Sequence, residues 1–208
     1  MQDRVRIFVN PHSGSGADRE QEQRLTRAFA VQGCRAEITH LGKQVDLGRL
    51  AAADPVEIPY VAAGGDGTVN AVANVVARTE RVMGVLPAGT LNHFARDLNL
   101  PADLDAAAEV IAACQTHRHI RAVDAAEVNG FIFVNNSSLG AYPAMVMDRE
   151  RMKKRGRSKW AALAAASFRA FVRFRPLRVE VTIQGAHRVC TTPFLFVGNN
   201  EYLSLIHI

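Results

Sequence analysis

The segment that most restricts what this chain can become is Ile58-Pro-Tyr-Val-Ala-Ala-Gly-Gly-Asp-Gly-Thr-Val-Asn70. An apolar run at 58–62 gives way to Gly64, Gly65 and Gly67, and then to helix-compatible sequence over 66–78. Strand, glycine turn and helix in that order form half of a βαβ unit, which is stable only in a parallel sheet covered by helices. The rest of the first 120 residues repeats the pattern. Strands are expected at 4–9, 36–39, 58–62 and 83–86, and helices at 18–32, 46–53, 66–78, 90–98 and 104–114.

The character changes near residue 121, where a domain boundary is expected. Residues 123–128 and 131–135 flank Asn129-Gly130, whose positive φ angles suit a tight type I′ hairpin. A helix is expected at 158–171, and strands at 178–183 and 188–197 pair around Gly185. The expected fold class is thus α/β, with a parallel-sheet domain at 1–121 and antiparallel strands with a helical insertion at 122–208.

The 208 residues are 48% hydrophobic and 22% charged, a balance that favours a packed globular chain over disorder. No apolar stretch reaches the ~20 residues a membrane-spanning helix needs. The first residues lack the apolar region and cleavage site of a secretion signal, so a cytoplasmic protein is expected. Cys34, Cys114 and Cys190 are odd in number and in no metal-ligand spacing, which argues against disulfides and zinc.

Charge is unevenly spread. Residues 149–178 hold eleven Lys or Arg against Glu150 alone, a local +10 in a chain whose net charge is +5. Such a segment suits an anionic surface, a membrane or a nucleic acid, or is simply a solvated face. The aromatics there, Trp160, Phe168 and Phe171, fall at helical spacing and no nucleic-acid motif appears, so nucleic acid is not expected as partner.

Glycines at the mouth of a helix let backbone amides approach a phosphate, and the helix dipole favours its charge. Asp66 stands out there, because a carboxylate repels phosphates unless a cation or the phosphoryl acceptor lies between. A tight turn with an aspartate N-cap gives the same local pattern. Two further loops bear on the choice: Asn10-Pro-His-Ser-Gly-Ser-Gly16 and Pro87-Ala-Gly-Thr-Leu-Asn-His-Phe-Ala-Arg96. In a parallel sheet all three emerge at the carboxyl ends of strands, where such folds bind ligands.

At these residues the chain resembles the diacylglycerol and sphingosine kinase family, which includes bacterial lipid kinases. The resemblance lies in Asn10-Pro11 with Ser13-Gly14, in Gly64 to Thr68, and in Gly89-Thr90 with Asn92. It continues through Asp124, Asn129-Gly130 and Asn135 to Gly140, and ends with Gly198-Asn199-Asn200. It implies a nucleotide-binding α/β domain followed by a β-sandwich that binds lipid, here incomplete, and transfer of the ATP γ-phosphoryl to a lipid hydroxyl. Diacylglycerol is the acceptor expected first, giving phosphatidic acid; a sphingoid base or phosphatidylglycerol is allowed.

On the matching positions the resemblance implies that Asn10, Pro11, Ser13 and Gly14 contact the nucleotide. Gly64, Gly65, Asp66, Gly67 and Thr68 would meet its phosphates, and Gly89, Thr90 and Asn92 the nucleotide again. Asp66 would serve catalysis through Mg²⁺, and Asp124 would join it through water, a plain strand aspartate being the alternative. The lipid would be met at the inner membrane surface by a peripheral enzyme, with a homodimer allowed.

Two departures stand out. Many members carry Asp where this chain has His93, which cannot supply that negative charge. The family's catalytic base lies in a later Asp-Gly segment, expected beyond residue 208, so these 208 residues are expected to bind ATP weakly with little kinase activity. The rival readings are an NAD kinase, which shares the Gly64 to Thr68 turn, and a non-catalytic nucleotide- or membrane-binding module.

Overall fold

A computed structural model of the chain describes residues 3–10, 18–42, 45–117, 119–140 and 176–199. The elements run β1 (Asp3–Val9), α1 (Asp18–Val31), β2 (Cys34–His40), α2 (Leu47–Ala53), β3 (Tyr60–Gly64), α3 (Asp66–Val76), β4 (Met83–Pro87), α4 (His93–Asp97) and α5 (Leu104–His117). The four strands form one parallel sheet in the order β2-β1-β3-β4, as the repeated strand-helix pattern requires.

Side chains alternate between two cores with the period of two that a strand dictates. Val5, Ile7, Val9, Val61 and Ala63 face Leu25 and Phe29 of α1 and Ala108 and Ile111 of α5. Phe8, Tyr60, Ala62 and Val85 face Val69, Val72 and Val76 of α3 and Phe94 of α4. Every residue of β3 is buried, which explains why that strand reads as an unbroken apolar run. The chain leaves β1 outward to β2 and then returns across β1 to β3, so the order reverses between β1 and β3. That reversal opens a crevice at the carboxyl ends of the two strands.

The Asn-Gly hairpin forms as expected, from β5 (Ala126–Val128) and β6 (Phe131–Phe133). Asn129 at φ 50° and Gly130 at φ 84° supply the turn. One polar stripe of α3, spaced four residues apart, fastens this hairpin. Asn74 accepts from the Ile132 amide at 2.7 Å and donates to its carbonyl at 2.8 Å, acting as a neighbouring strand would. One turn earlier Asn70 accepts from the Val134 amide at 3.2 Å. Just past the helix, Arg78 reaches Glu127 at 2.7 Å and the Gly130 carbonyl at 3.0 Å.

The hairpin therefore groups with the parallel sheet. One compact unit holds the described residues of Met1–Asn135 together with Asn199, and the described residues of Asn136–Gly198 form another. In the second unit β7 (Asn136–Gly140) pairs antiparallel with β10 (Phe194–Gly198). Its other strands, β8 (Leu177–Ile183) and β9 (Ala186–Thr192), pair around Gln184 and Gly185, both at positive φ. The single strand expected at 188–197 is two strands in two sheets. Pro193 lies between them, and a proline has no amide to continue a ladder. The helix expected at 158–171 and the basic residues 149–175 lie outside the described residues.

At the amino ends of the strands a second polar group ties α2 to the sheet. Arg81, 6% exposed, donates to the carbonyls of Ala51, Asp54, Pro55 and Ile58 at 3.1, 3.0, 2.7 and 2.6 Å. Its guanidinium stacks 4.3 Å above the Tyr60 ring. Asp54 accepts from the Tyr60 hydroxyl at 2.8 Å and from Arg6 through both oxygens, at 2.7 and 3.0 Å.

Candidate functional site

Strand register sets where the three glycine-rich loops begin. Val9 lies beside Ala63, and Gly64 beside Pro87, so the chain leaves β1, β3 and β4 side by side on one sheet edge. Asn10 is the first residue out of β1, while Pro11, Ser13 and Gly14 lie outside the described residues. The β3 and β4 loops touch. A Cβ built on Gly89 would overlap the Cα of Gly65 and lie 2.8 Å from its nitrogen, so the two backbones approach as only glycines permit.

Asn92 shapes the β4 loop from within. Its side chain accepts from the Gly89 amide at 2.9 Å and donates to the Gly89 carbonyl at 2.9 Å, with its own backbone in the left-handed region at φ 49°. This clamp delays α4 to His93, although helix-compatible sequence starts at 90. Thr90 is exposed on the loop and His93 opens the helix.

Asp66 begins α3, which follows Gly65 with no side chain capping its first turn. The uncapped amides and the positive end of the helix dipole would favour an anion at this position. Gly67 is exposed in that turn with nothing within 4 Å of where a Cβ would sit. Thr68, by contrast, is buried against Gly64, and its amide bonds back to the Gly65 carbonyl at 2.9 Å.

The Asp66 carboxylate is held from a direction that sequence alone does not reveal. Asn135 Nδ2 donates to Asp66 Oδ1 at 2.8 Å, and the Phe94 amide approaches the same oxygen at 3.4 Å. The Asn135 Oδ1 atom is buried with no hydrogen-bond partner among the described residues. Asn199 completes the group. Its amide donates to the Asn135 carbonyl at 2.7 Å, and its side chain to the carbonyls of Asp124 and Val134 at 2.7 and 3.1 Å.

Asp124 is exposed, and with Asp97, Phe94, Leu98, Arg121 and Asn199 it lines an open cleft of about 520 Å³. Among the described residues no three His, Cys, Asp or Glu side chains gather as metal ligands. Asn135 escapes a search for charged or glycine-rich motifs because it is a lone amide 69 residues from its partner. The detectable signal is the spacing of Asp66, Asn70 and Asn74, one polar stripe on a helix otherwise rich in valine and alanine.

Residues 4–128 match the diacylglycerol kinase catalytic domain. The chain is 30% identical over 158 residues to a diacylglycerol kinase of Bacillus subtilis, covering 70% of this chain and 48% of that protein. It is 32% identical over 145 residues to one of Staphylococcus saprophyticus, covering 67% and 46%. Among solved structures, a diacylglycerol kinase from Bacillus anthracis shares the fold with a TM-score of 0.69 at 23% identity, over 97% of this chain and 65% of that one. The chain thus spans about half the length of the curated relatives it matches.

Proposed function

Because the chain belongs to the diacylglycerol kinase catalytic family, we propose that it binds ATP with Mg²⁺ and transfers the γ-phosphoryl to a lipid hydroxyl. Diacylglycerol is the acceptor this reading favours, and phosphatidic acid the product. The observation that carries it is the meeting of the β3 and β4 loops through Gly65 and Gly89, beside Asn10 and at the uncapped start of α3. Phosphoryl transfer asks a protein mainly to position phosphates and to offset their charge. Backbone amides that touch no side-chain cap are suited to the first task, and the α3 dipole to the second.

Asp66 fits a site in which a divalent cation lies between its carboxylate and the phosphates. Mg²⁺ is commonly held by one or two carboxylates, with phosphates and water filling the remaining positions. The Asp66 carboxylate, held through one oxygen by the Asn135 side-chain amide, is a hard oxygen donor of that kind. When bound, the cation would neutralise charge developing on the transferred group. Asp124 would act on the same ion through water, from the cleft it shares with Asn199.

The basic stretch at 149–178 supports docking to an anionic bilayer, where each Lys or Arg contributes ~1 kcal/mol. No helix among the described residues is long and apolar enough to cross a membrane. The test is incubation of a protein that carries the later Asp-Gly segment expected beyond residue 208 with γ-labelled ATP, mixed lipid vesicles and NAD, in which labelled phosphatidic acid is expected. Labelled NADP without labelled lipid would transfer the assignment to NAD. In the Asp66→Asn variant of that longer protein turnover is expected to vanish with ATP binding partly kept; unchanged turnover removes Asp66 from the mechanism.

A further inference from the structure

We infer that Asn135 is a positioning residue for Asp66, presetting which carboxylate oxygen is engaged by the protein and which serves the bound ligand. The inference rests on the nucleotide-binding reading above. A carboxylate at an exposed helix start turns freely, so its two oxygens are equivalent. Here they are not. The Asn135 side-chain amide at 2.8 Å and the Phe94 amide at 3.4 Å both converge on Oδ1, and no hydrogen bond among the described residues reaches Oδ2.

Asn135 is itself fixed in place. It is 8% exposed, its carbonyl accepts from the Asn199 amide at 2.7 Å, and its neighbour Val134 is held by Asn70 at 3.2 Å and by Asn199 at 3.1 Å. Asp66 and Asn70 lie four residues apart on α3, so the helix that carries the carboxylate also holds the link between β6 and β7 that orients it.

Stability alone does not account for an amide at this position. Its Oδ1 is buried without a partner among the described residues, and such an orphaned acceptor is costly. A leucine, branched at the same atom though somewhat larger, would fill the space with no orphan. What the amide adds is the donor to Asp66, in the way that outer partners of a ligating group fix its orientation.

The experiment compares the full chain with Asn135→Leu and with the exchanged pair Asp66→Asn/Asn135→Asp. ATP binding is measured calorimetrically with Mg²⁺ and with EDTA, alongside the thermal midpoint and the side-chain amide NMR signal of Asn135. Asn135→Leu is expected to weaken Mg²⁺-dependent binding about tenfold, the usual scale for losing an outer partner, while binding in EDTA changes little. The exchanged pair restores the hydrogen bond with its ends reversed, so it should keep a thermal midpoint near that of the parent chain but lose the Mg²⁺ dependence. In the parent chain the Asn135 amide signal should move on addition of Mg²⁺ and ATP.

Wild-type affinity and Mg²⁺ dependence in Asn135→Leu would overturn the positioning role while leaving the nucleotide reading in place. Recovery of Mg²⁺ dependence in the exchanged pair would do the same. Absence of ATP binding in the parent chain would overturn both.

Discussion

Gly89 packs against the backbone of Gly65 so closely that a single methyl on Gly89 would overlap the Gly65 α-carbon. The obstacle is main chain, not a flexible side chain, so neither loop can yield without moving the strand that feeds it. Gly89→Ala is expected to cost about 1–3 kcal/mol, the usual range for overpacking. ATP affinity should fall with it, because the two loops are driven apart. Thermal denaturation and calorimetric titration of the same samples check both.

Gly67 makes the opposite case. It is exposed in the first turn of α3, with open space where a Cβ would point. Gly67→Ala should therefore stabilise the fold by about 0.5–1 kcal/mol, as alanine does in a compatible helical position. The same methyl would stand where a phosphate approaches the α3 amides, so ATP affinity is expected to fall as stability rises. Unchanged affinity would remove that turn from the phosphate site.

Much of this contrast is legible in the sequence, and some is not. The apolar run at 58–62 and the loops that follow β1, β3 and β4 announce a parallel sheet with its working edge at the carboxyl ends. Asn129-Gly130 announces its own turn, because the φ angles it allows are local properties. Long-range pairings leave no such mark. Nothing near Asn135 points to Asp66, and the meeting of Gly65 with Gly89 follows from adjacent strands rather than from either loop. The long strand expected at 188–197 shows the reverse failure, since its apolar content masks the break at Pro193.

Arg81 predicts a purely structural effect. Its guanidinium serves four carbonyls and covers Tyr60 at the sheet end away from the loops. Arg81→Met should destabilise by about 3–5 kcal/mol, the scale of removing one partner from a buried charged network. Arg81→Lys should recover little, because an ammonium cannot span four acceptors in a plane. Urea unfolding measures both, and ATP binding in the folded fraction should be unaltered.

The same group sets two pH dependences. Burial alone would lift the Asp54 carboxyl, but hydrogen bonds from Tyr60 and Arg6 and the charges of Arg6 and Arg81 outweigh it and hold the group below the usual carboxylate range. Its contribution is present above about pH 4 and lost as pH falls through the depressed value. Burial, and then the hydrogen bond to Asp54, push the Tyr60 hydroxyl up to about 12. That contribution is complete below about pH 10 and lost as pH rises toward the folded value. Urea midpoints should show the gap between wild type and Asp54→Asn narrowing in acid, and that to Tyr60→Phe narrowing in alkali.

The α3 stripe also dictates where the chain tolerates changes in length. Each residue advances a helix by about 100°, so one inserted between Asp66 and Asn74 would swing the amides off the hairpin and the valines out of the core together. The Asn129-Gly130 turn lies off that helix, and lengthening it disturbs only the exposed Arg78 contacts to Glu127 and Gly130. An engineered tag or loop graft belongs at that tip, while the helix admits exchange of side chains without exchange of register.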